Sequence, residues 1–311
     1  MNRNTLFFIT SPILALSCGG GGSSTLLENP PPTIVAPPTI SPTPEQDYET
    51  VYEAQLDSDG LGLGMPPYTI IRNAFGSNSI EAPDVFSGDH QTIEHIVEDY
   101  DDVVGHHFLF VAHRDEDGNK GEFIDRQRNE IKIYGSSYEA LKGFENSIFE
   151  YTWRFKAAAN LELSTKFTHF FQLKAVGGDD QQPIITISGA ERSGLDGIEV
   201  RYSPLVSTEI LDRNAWSEVA GEWLEVFCRA KYSDFGKLEL EVKRMRDQTT
   251  ILSVKQTEID LWRGTESGHF VRPKWGIYRS VVETRNLRAE EEHVRFANFV
   301  VREVKPIAID E

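Results

Sequence analysis

Apolar and polar side chains alternate with a period of two in one segment after another of this chain. Phe149, Tyr151, Trp153 and Phe155 are interleaved with Glu150, Thr152, Arg154 and Lys156. The same rhythm runs through residues 183–188, 223–228, 237–243 and 294–301. Successive side chains of a strand point to opposite faces, so each run buries one face and turns the other elsewhere. Gly, Asp and Asn break the runs as turns would. Helical periodicity is weak, and residues 137–142 supply no more than about one turn. Many short strands without long helices predict an all-β sandwich or jelly roll. The 311 residues could hold two domains by length, but sandwiches of this size occur as one. With no internal repeat and no second shift in composition, a single domain is expected over residues 47–311.

The amino terminus has a different character. Arg3 is the only charge before Glu28, and residues 5–16 form an apolar stretch too short to span a bilayer as a mature helix. It ends in Leu14-Ala15-Leu16-Ser17-Cys18, which resembles a bacterial lipobox. That resemblance implies a lipoprotein signal peptide over residues 1–17 and lipidation of Cys18, which would anchor the protein to a membrane. Residues 18–46 then form a tether rich in Gly and Pro, from Gly19 through Pro30-Pro31-Pro32 to Pro44. The expected location is the bacterial cell envelope (outer membrane or cell surface) or the medium.

Lys and Arg total 31 against 49 Asp and Glu, a net charge of −18. This balance excludes the basic footprint of a nucleic-acid binder. It permits a local basic cleft for a polyanion. Two cysteines, Cys18 and Cys228, exclude a disulfide scaffold or a cysteine-rich zinc site. Cys228 lies among apolar strand neighbours and is expected to be a small buried hydrophobe.

Three strands carry polar faces that need a purpose. In residues 125–132, alternation puts Arg126, Arg128, Glu130 and Lys132 on one face. In residues 168–174 it puts Thr168, Phe170, Gln172 and Lys174 together, with His169 on the opposite side. In residues 272–280 it groups Lys274, Gly276, Tyr278 and Ser280, where Gly276 would leave room beside the tyrosine for a ligand. A single such strand would be an ordinary solvated face. Three of them, each combining cations with a hydrogen-bonding group, suit a sheet that grips an anion.

These segments also carry a family resemblance. Arg128-Asn129-Glu130-Ile131-Lys132 is similar to the R-[ST]-E-L-R strand of jelly-roll alginate lyases. Gln172-Leu173-Lys174 resembles their Q-I-H strand, with lysine in place of histidine. Lys274-Trp275-Gly276-Ile277-Tyr278 matches their K-x-G-x-Y strand, and the three occur in the family's order. The lysine and the Gly-Ile-Tyr-Arg ending resemble more closely the jelly-roll ulvan lyases and the heparin-lyase-like, concanavalin A-like sandwiches. The resemblance implies β-elimination on an acidic, uronic-acid polysaccharide, most of all ulvan, with glucuronan, alginate or a heparin-type glycan as alternatives. The uronate carboxylate must be neutralised, the C5 proton removed and the leaving oxygen protonated. Tyr278 is assigned as base and acid. Arg128 and Gln172 are assigned to the carboxylate. Lys174 either assists Tyr278 or binds a carboxylate or sulfate. Lys274 and Arg279 would supply positive charge near the phenol, although alternation points Arg279 away. Arg126 and Glu130 complete the expected substrate-binding set.

No cofactor and no metal is expected. His90 and His95, near Asp89 and Glu94, form only a minor metal candidate, and His106, His107, His113 and His169 could line a cleft, although alternation favours the core or back face for His169. Residues 115–119 resemble the start of a calcium loop without its expected glycine or closing glutamate, so they are read as a hairpin turn with structural calcium as an alternative. The five tryptophans are treated as packing. A glycosidase needs paired carboxylates, and Glu130 lacks an evident partner. The rivals to a lyase are a non-catalytic carbohydrate-binding lipoprotein on the same fold and a structural envelope lipoprotein.

Overall fold

The computed structural model describes residues 46–308, with 205 and 206 excepted. The 1–17 signal, Cys18 and all but the last residue of the 18–46 tether lie outside the described residues. Among the described residues no helix is long and apolar enough to cross a membrane.

The strands follow the alternation. In chain order they are β1 Tyr48–Leu56, β2 Ile80–Glu81, β3 Ile96–Asp101, β4 Gly105–Ala112 and β5 Arg126–Lys132. Then come β6 Ile148–Ala157, β7 Thr168–Val176, β8 Ile185–Arg192, β9 Leu195–Tyr202 and β10 Glu209–Ala215. The last are β11 Leu224–Lys231, β12 Gly236–Arg244, β13 Thr249–Ile259, β14 Phe270–Ser280 and β15 Glu292–Pro306. On β6 every second side chain from Phe149 to Ala157 is buried, as period two requires. One helix, α1 Pro67–Phe75, breaks the all-strand expectation. Pro67 at its first turn fits the fixed proline φ, and Ile71 and Phe75, four residues apart, bury one stripe. Residues 139–141 make the single short helical turn expected there.

Two antiparallel sheets form a sandwich consistent with a jelly roll. The back sheet runs β13-β12-β11-β6-β15-β4-β3, with β1 also on β15; the front sheet runs β10-β9-β8-β7-β14-β5-β2. Aromatic side chains fill the space between them. Trp153 of β6 meets Phe171 of β7 at a centroid distance of 4.4 Å, and Trp275 of β14 meets Phe299 of β15 at 5.4 Å. All five tryptophans are buried, so they pack the protein as expected. Cys228 is a buried free thiol.

Two features of the front sheet differ from simple alternation. A bulge interrupts β7 between His169 and Phe171. Phe170 and Phe171 both enter the core, Phe170 against Phe155 and Phe171 against Trp153. His169 is thereby turned to the face of Gln172, opposite to expectation. Gly276, at φ 145°, does not make room for a ligand. A Cβ there would sit 2.1 Å from the Asn129 carbonyl oxygen, so the missing side chain lets β14 approach β5. Gly276→Ala is expected to cost about 3 kcal/mol or more through strain and overlap. Chemical denaturation would measure it, and a wild-type midpoint would contradict this account.

Candidate active site

β14 lies between β5 and β7, so three distant stretches of sequence meet on one face. Tyr278 is paired with Arg128, Gly276 with Glu130 and Lys274 with Lys132 across β5. On the other side Lys274 is paired with Gln172, and Tyr278 with His169. A cleft of about 270 Å³ opens over these strands, lined by Arg126, Arg128, His169, Gln172, Lys174, Arg201 and Tyr278 among others.

Tyr278 is the best-held group in the cleft. Asp125 clamps Arg126 with bonds of 2.6 and 2.5 Å, and Arg126 Nη1 donates to Tyr278 Oη at 2.9 Å. The guanidinium of Arg128 covers the tyrosine ring, 3.9 Å from its centroid. Arg128 donates Nε to Asn119 Oδ1 at 2.8 Å, and Nη1 to Glu130 at 2.7 Å and Glu81 at 3.1 Å. Its Nη2 has no hydrogen-bond partner among the described residues, and Arg128 lines the cleft.

Beneath the cleft lies a buried ionic floor. Lys274 Nζ sits 2.5 Å from Glu130 and 2.7 Å from Glu81. Lys132 and Lys120 each reach Glu81 at 2.6 Å, and Gln172 donates its amide to Glu130. Burial opposes ionisation of Glu81. Lys274, Arg128, Lys132 and Lys120 outweigh it and hold the carboxyl well below the usual carboxylate range. Four cations therefore face two carboxylates, and the floor keeps a positive excess.

Two nitrogen bases border Tyr278 and the floor. His169 Nδ1 lies 2.8 Å from Ser188 Oγ, and its ring centroid is 5.9 Å from that of Tyr278. Burial, reinforced by Arg201, Arg128, Lys274 and Lys174, pushes its pKa well below the ordinary histidine value, so the ring is neutral near pH 7. Lys174 Nζ donates to the carbonyls of Asp180 and Gln181. Burial, helped by Lys274, Arg272 and Arg128, brings Lys174 down to about 8.

Most of the expected residues meet here, with corrections. Arg279 is wholly buried on the core side, donating to Gln127 at 2.5 Å and facing Glu292, so it touches no substrate. Lys274 and Glu130 are buried in the floor and act from beneath the cleft instead of contacting ligand directly. Phe170 and Thr168 do not line the cleft, whereas His169 does. His106 and His107 belong to β4 in the back sheet, where His107 packs on Trp223. The acidic turn at 115–119 is not a hairpin within one sheet. It carries the chain from β4 in the back sheet to β5 in the front one. Glu81 and Arg201 join the site without an individual sequence signal: Glu81 stands in a two-residue strand, and Arg201 arrives with β9. The Phe170-Phe171 doublet is the one local sign that β7 breaks period two and rotates His169.

A wider hollow elsewhere is lined by Glu145, Asp234, Glu266, Trp262 and His269. Its carboxylates make it unsuited to a polyanion.

Neither a protein-family model nor a curated protein matches this sequence. Solved structures do match in fold. The endo-β-1,4-glucuronan lyase of the fungus Trichoderma reesei superposes with a TM-score of 0.50 at 13% identity, covering 82% of this chain and 95% of that one. Alginate lyase Aly36B gives 0.53 at 12% identity, covering 83% and 99%. The alginate lyase of Aplysia kurodai gives 0.51 at 10% identity, covering 81% and 98%. At these identities the likeness establishes the sandwich architecture.

Proposed function

We propose that the protein is a polysaccharide lyase that cleaves a uronic-acid-containing polymer by β-elimination. The observation that carries this is Tyr278, its hydroxyl fixed by Arg126 and its ring by Arg128, in a cleft above a cation-rich floor. Arg128 Nη2, with Gln172 at the floor, would receive the uronate carboxylate. Neutralising it stabilises the charge that develops when the C5 proton leaves. Tyr278 Oη takes that proton and returns one to the leaving glycosidic oxygen. Arg126, donating to Oη, stabilises the phenolate that takes the proton in the first step and is regenerated when the leaving oxygen is protonated. The fold shared with glucuronan and alginate lyases agrees with this chemistry. A second assignment rests on the neutral His169: histidine removes the proton and Tyr278 serves only as acid.

Ulvan is the preferred substrate. Arg126, Lys174 and Arg201 line the cleft beside Arg128. That is more anion-binding capacity than one carboxylate needs, and a sulfated chain would use it. Glucuronan and alginate are the alternatives. The test is a panel of ulvan, glucuronan, alginate and heparin-type chains, followed by ultraviolet absorbance of the unsaturated uronate product. A folded protein that raises absorbance on none of them would leave a carbohydrate-binding module.

Lys174 gives the reaction a pH dependence. It is charged below about 8 and neutral above, so its hold on an anion weakens as pH rises through that value. An alkaline limb in kcat/KM near pH 8 is expected, displaced upward in Lys174→Arg because arginine stays charged. An unmoved limb would shift the assignment to Lys132, which burial also lowers to about 8. We further propose that Cys18 is lipidated after removal of residues 1–17 and tethers the domain to the cell envelope. Cys18→Ser should then move the protein from the membrane fraction to the soluble one.

A further inference from the structure

Behind β5, on the side away from the cleft, four side chains converge: His90, His95, His113 and Asp117. One ligand atom from each lies within 4.8 Å of all the others. His95 and Asp117 are buried, and the other two histidines are partly exposed. A single oxygen, Asp117 Oδ1, faces His90 Nδ1 at 3.0 Å, His95 Nε2 at 2.9 Å and His113 Nδ1 at 3.4 Å. Ligands on a tetrahedral ion with bonds of about 2.0 Å stand roughly 3.3 Å apart. The three rings are mutually steep, with interplanar angles of 77°, 81° and 90°.

The outer ring nitrogens decide what sits inside. His90 Nε2 lies 3.0 Å from Glu116, His95 Nδ1 lies 3.2 Å from Asp84, and His113 Nε2 lies 3.4 Å from Glu291. For His95 the contact is a hydrogen bond, and an N–H on the outer nitrogen suits each of these contacts with a carboxylate. A neutral imidazole has only one, so each inner nitrogen presents a lone pair. Three lone pairs and a carboxylate oxygen repel one another unless a cation lies among them. Three imidazolium ions would satisfy the same contacts only by crowding three positive charges at ring separations of 5.0 to 5.2 Å. His113 Nδ1 is also a buried nitrogen without a hydrogen-bond partner among the described residues. Carboxylates behind metal-bound histidines are the usual outer shell of such a site.

We infer that His90, His95, His113 and Asp117 form a structural site for one divalent transition-metal ion, zinc by ligand type. Three imidazoles and one carboxylate in tetrahedral array suit zinc and leave no open position for catalysis. The site goes beyond the expectation of no metal, since neither His113 nor Asp117 stands at metal-ligand spacing from His90 and His95. Its consequence is mechanical. The loop that sends Asp117 inward sends Asn119 and Lys120 to the cleft side, where they hold Arg128 and Glu81. The Gly118 carbonyl also accepts from the Arg128 amide at 3.0 Å. The ion would therefore fix the strand that carries the carboxylate-binding arginine, and its presence does not depend on what the cleft binds.

The test uses the full chain without an affinity tag, purified without chelator. Elemental analysis is expected to find one zinc per chain. A chelator should lower the unfolding temperature, and Zn²⁺ alone should restore it. Replacement by Co²⁺ should give the visible bands of a tetrahedral site. His113→Ala and His90→Ala, at the less buried corners, should keep the far-ultraviolet spectrum of the fold and lose the metal, while Glu116→Gln keeps it. Wild-type protein with no stoichiometric metal, and no thermal response to added Zn²⁺, would overturn the site and leave a cluster of protonated histidines.

Discussion

Tyr278→Phe is expected to lower turnover by about 10²- to 10⁴-fold with little change in substrate affinity or stability. Phenylalanine keeps the ring that Arg128 covers at 3.9 Å and that packs on Phe167 at 5.2 Å. Only Oη and its bond from Arg126 are lost, and Arg126 stays clamped by Asp125. One such bond is worth about 1 kcal/mol, so a loss of turnover cannot be charged to unfolding. Initial rates from product absorbance, with binding measured separately by calorimetry, give the two numbers. Retained turnover would remove Tyr278 from the chemistry. His169→Asn divides the two assignments of the base. If Tyr278 acts alone, the histidine variant should change KM more than kcat; if His169 takes the proton, kcat falls as far as in Tyr278→Phe.

Glu81→Gln is expected to destabilise the protein by about 3–5 kcal/mol, the cost of removing one partner from a buried ionic cluster. Lys274 and Lys132 are buried beside it and would face a neutral amide. For a domain of this size that is an unfolding temperature lower by on the order of 10 °C. The contribution also has a pH sign. The Glu81 carboxyl is held well below its usual range, so the stabilisation is complete above the ordinary glutamate value of about 4.3. It is lost progressively as pH falls further, because the unfolded chain binds the proton first. The gap between wild type and Glu81→Gln should therefore narrow in acid. Thermal scans from neutral pH into acid measure both effects. A gap of less than a degree or two at pH 7 would mean that water, and not Glu81, balances the lysines.

Much of the sandwich was legible because it depends on local pattern. β6, β11 and β12 bury alternate residues along their whole length, and no other regular structure produces that rhythm. Helix α1 was less visible: its buried stripe is only Ile71 and Phe75, too short for a periodic signal. The faces of β5 and β14 were also readable, because both run without interruption opposite each other from Arg126 and Ser280 to Lys132 and Lys274. β7 was not, since one bulge reverses every side chain on its far side and moved His169 from back to cleft.

By itself, then, the sequence determined the fold class, the chemical character of three strands and the choice of Tyr278, Arg128, Gln172 and Lys174 as a set. Those follow from side-chain type and a period of two, which are properties of neighbours along the chain. Only the tertiary structure decided which partners each one meets. It set β14 between β5 and β7, brought Glu81 from a two-residue strand under the lysines, and buried Arg279 away from the cleft. It also gathered His90, His95, His113 and Asp117 behind β5. Pairing between distant strands is settled by how two whole sheets bury their apolar faces against each other, and no local stretch of residues carries that information.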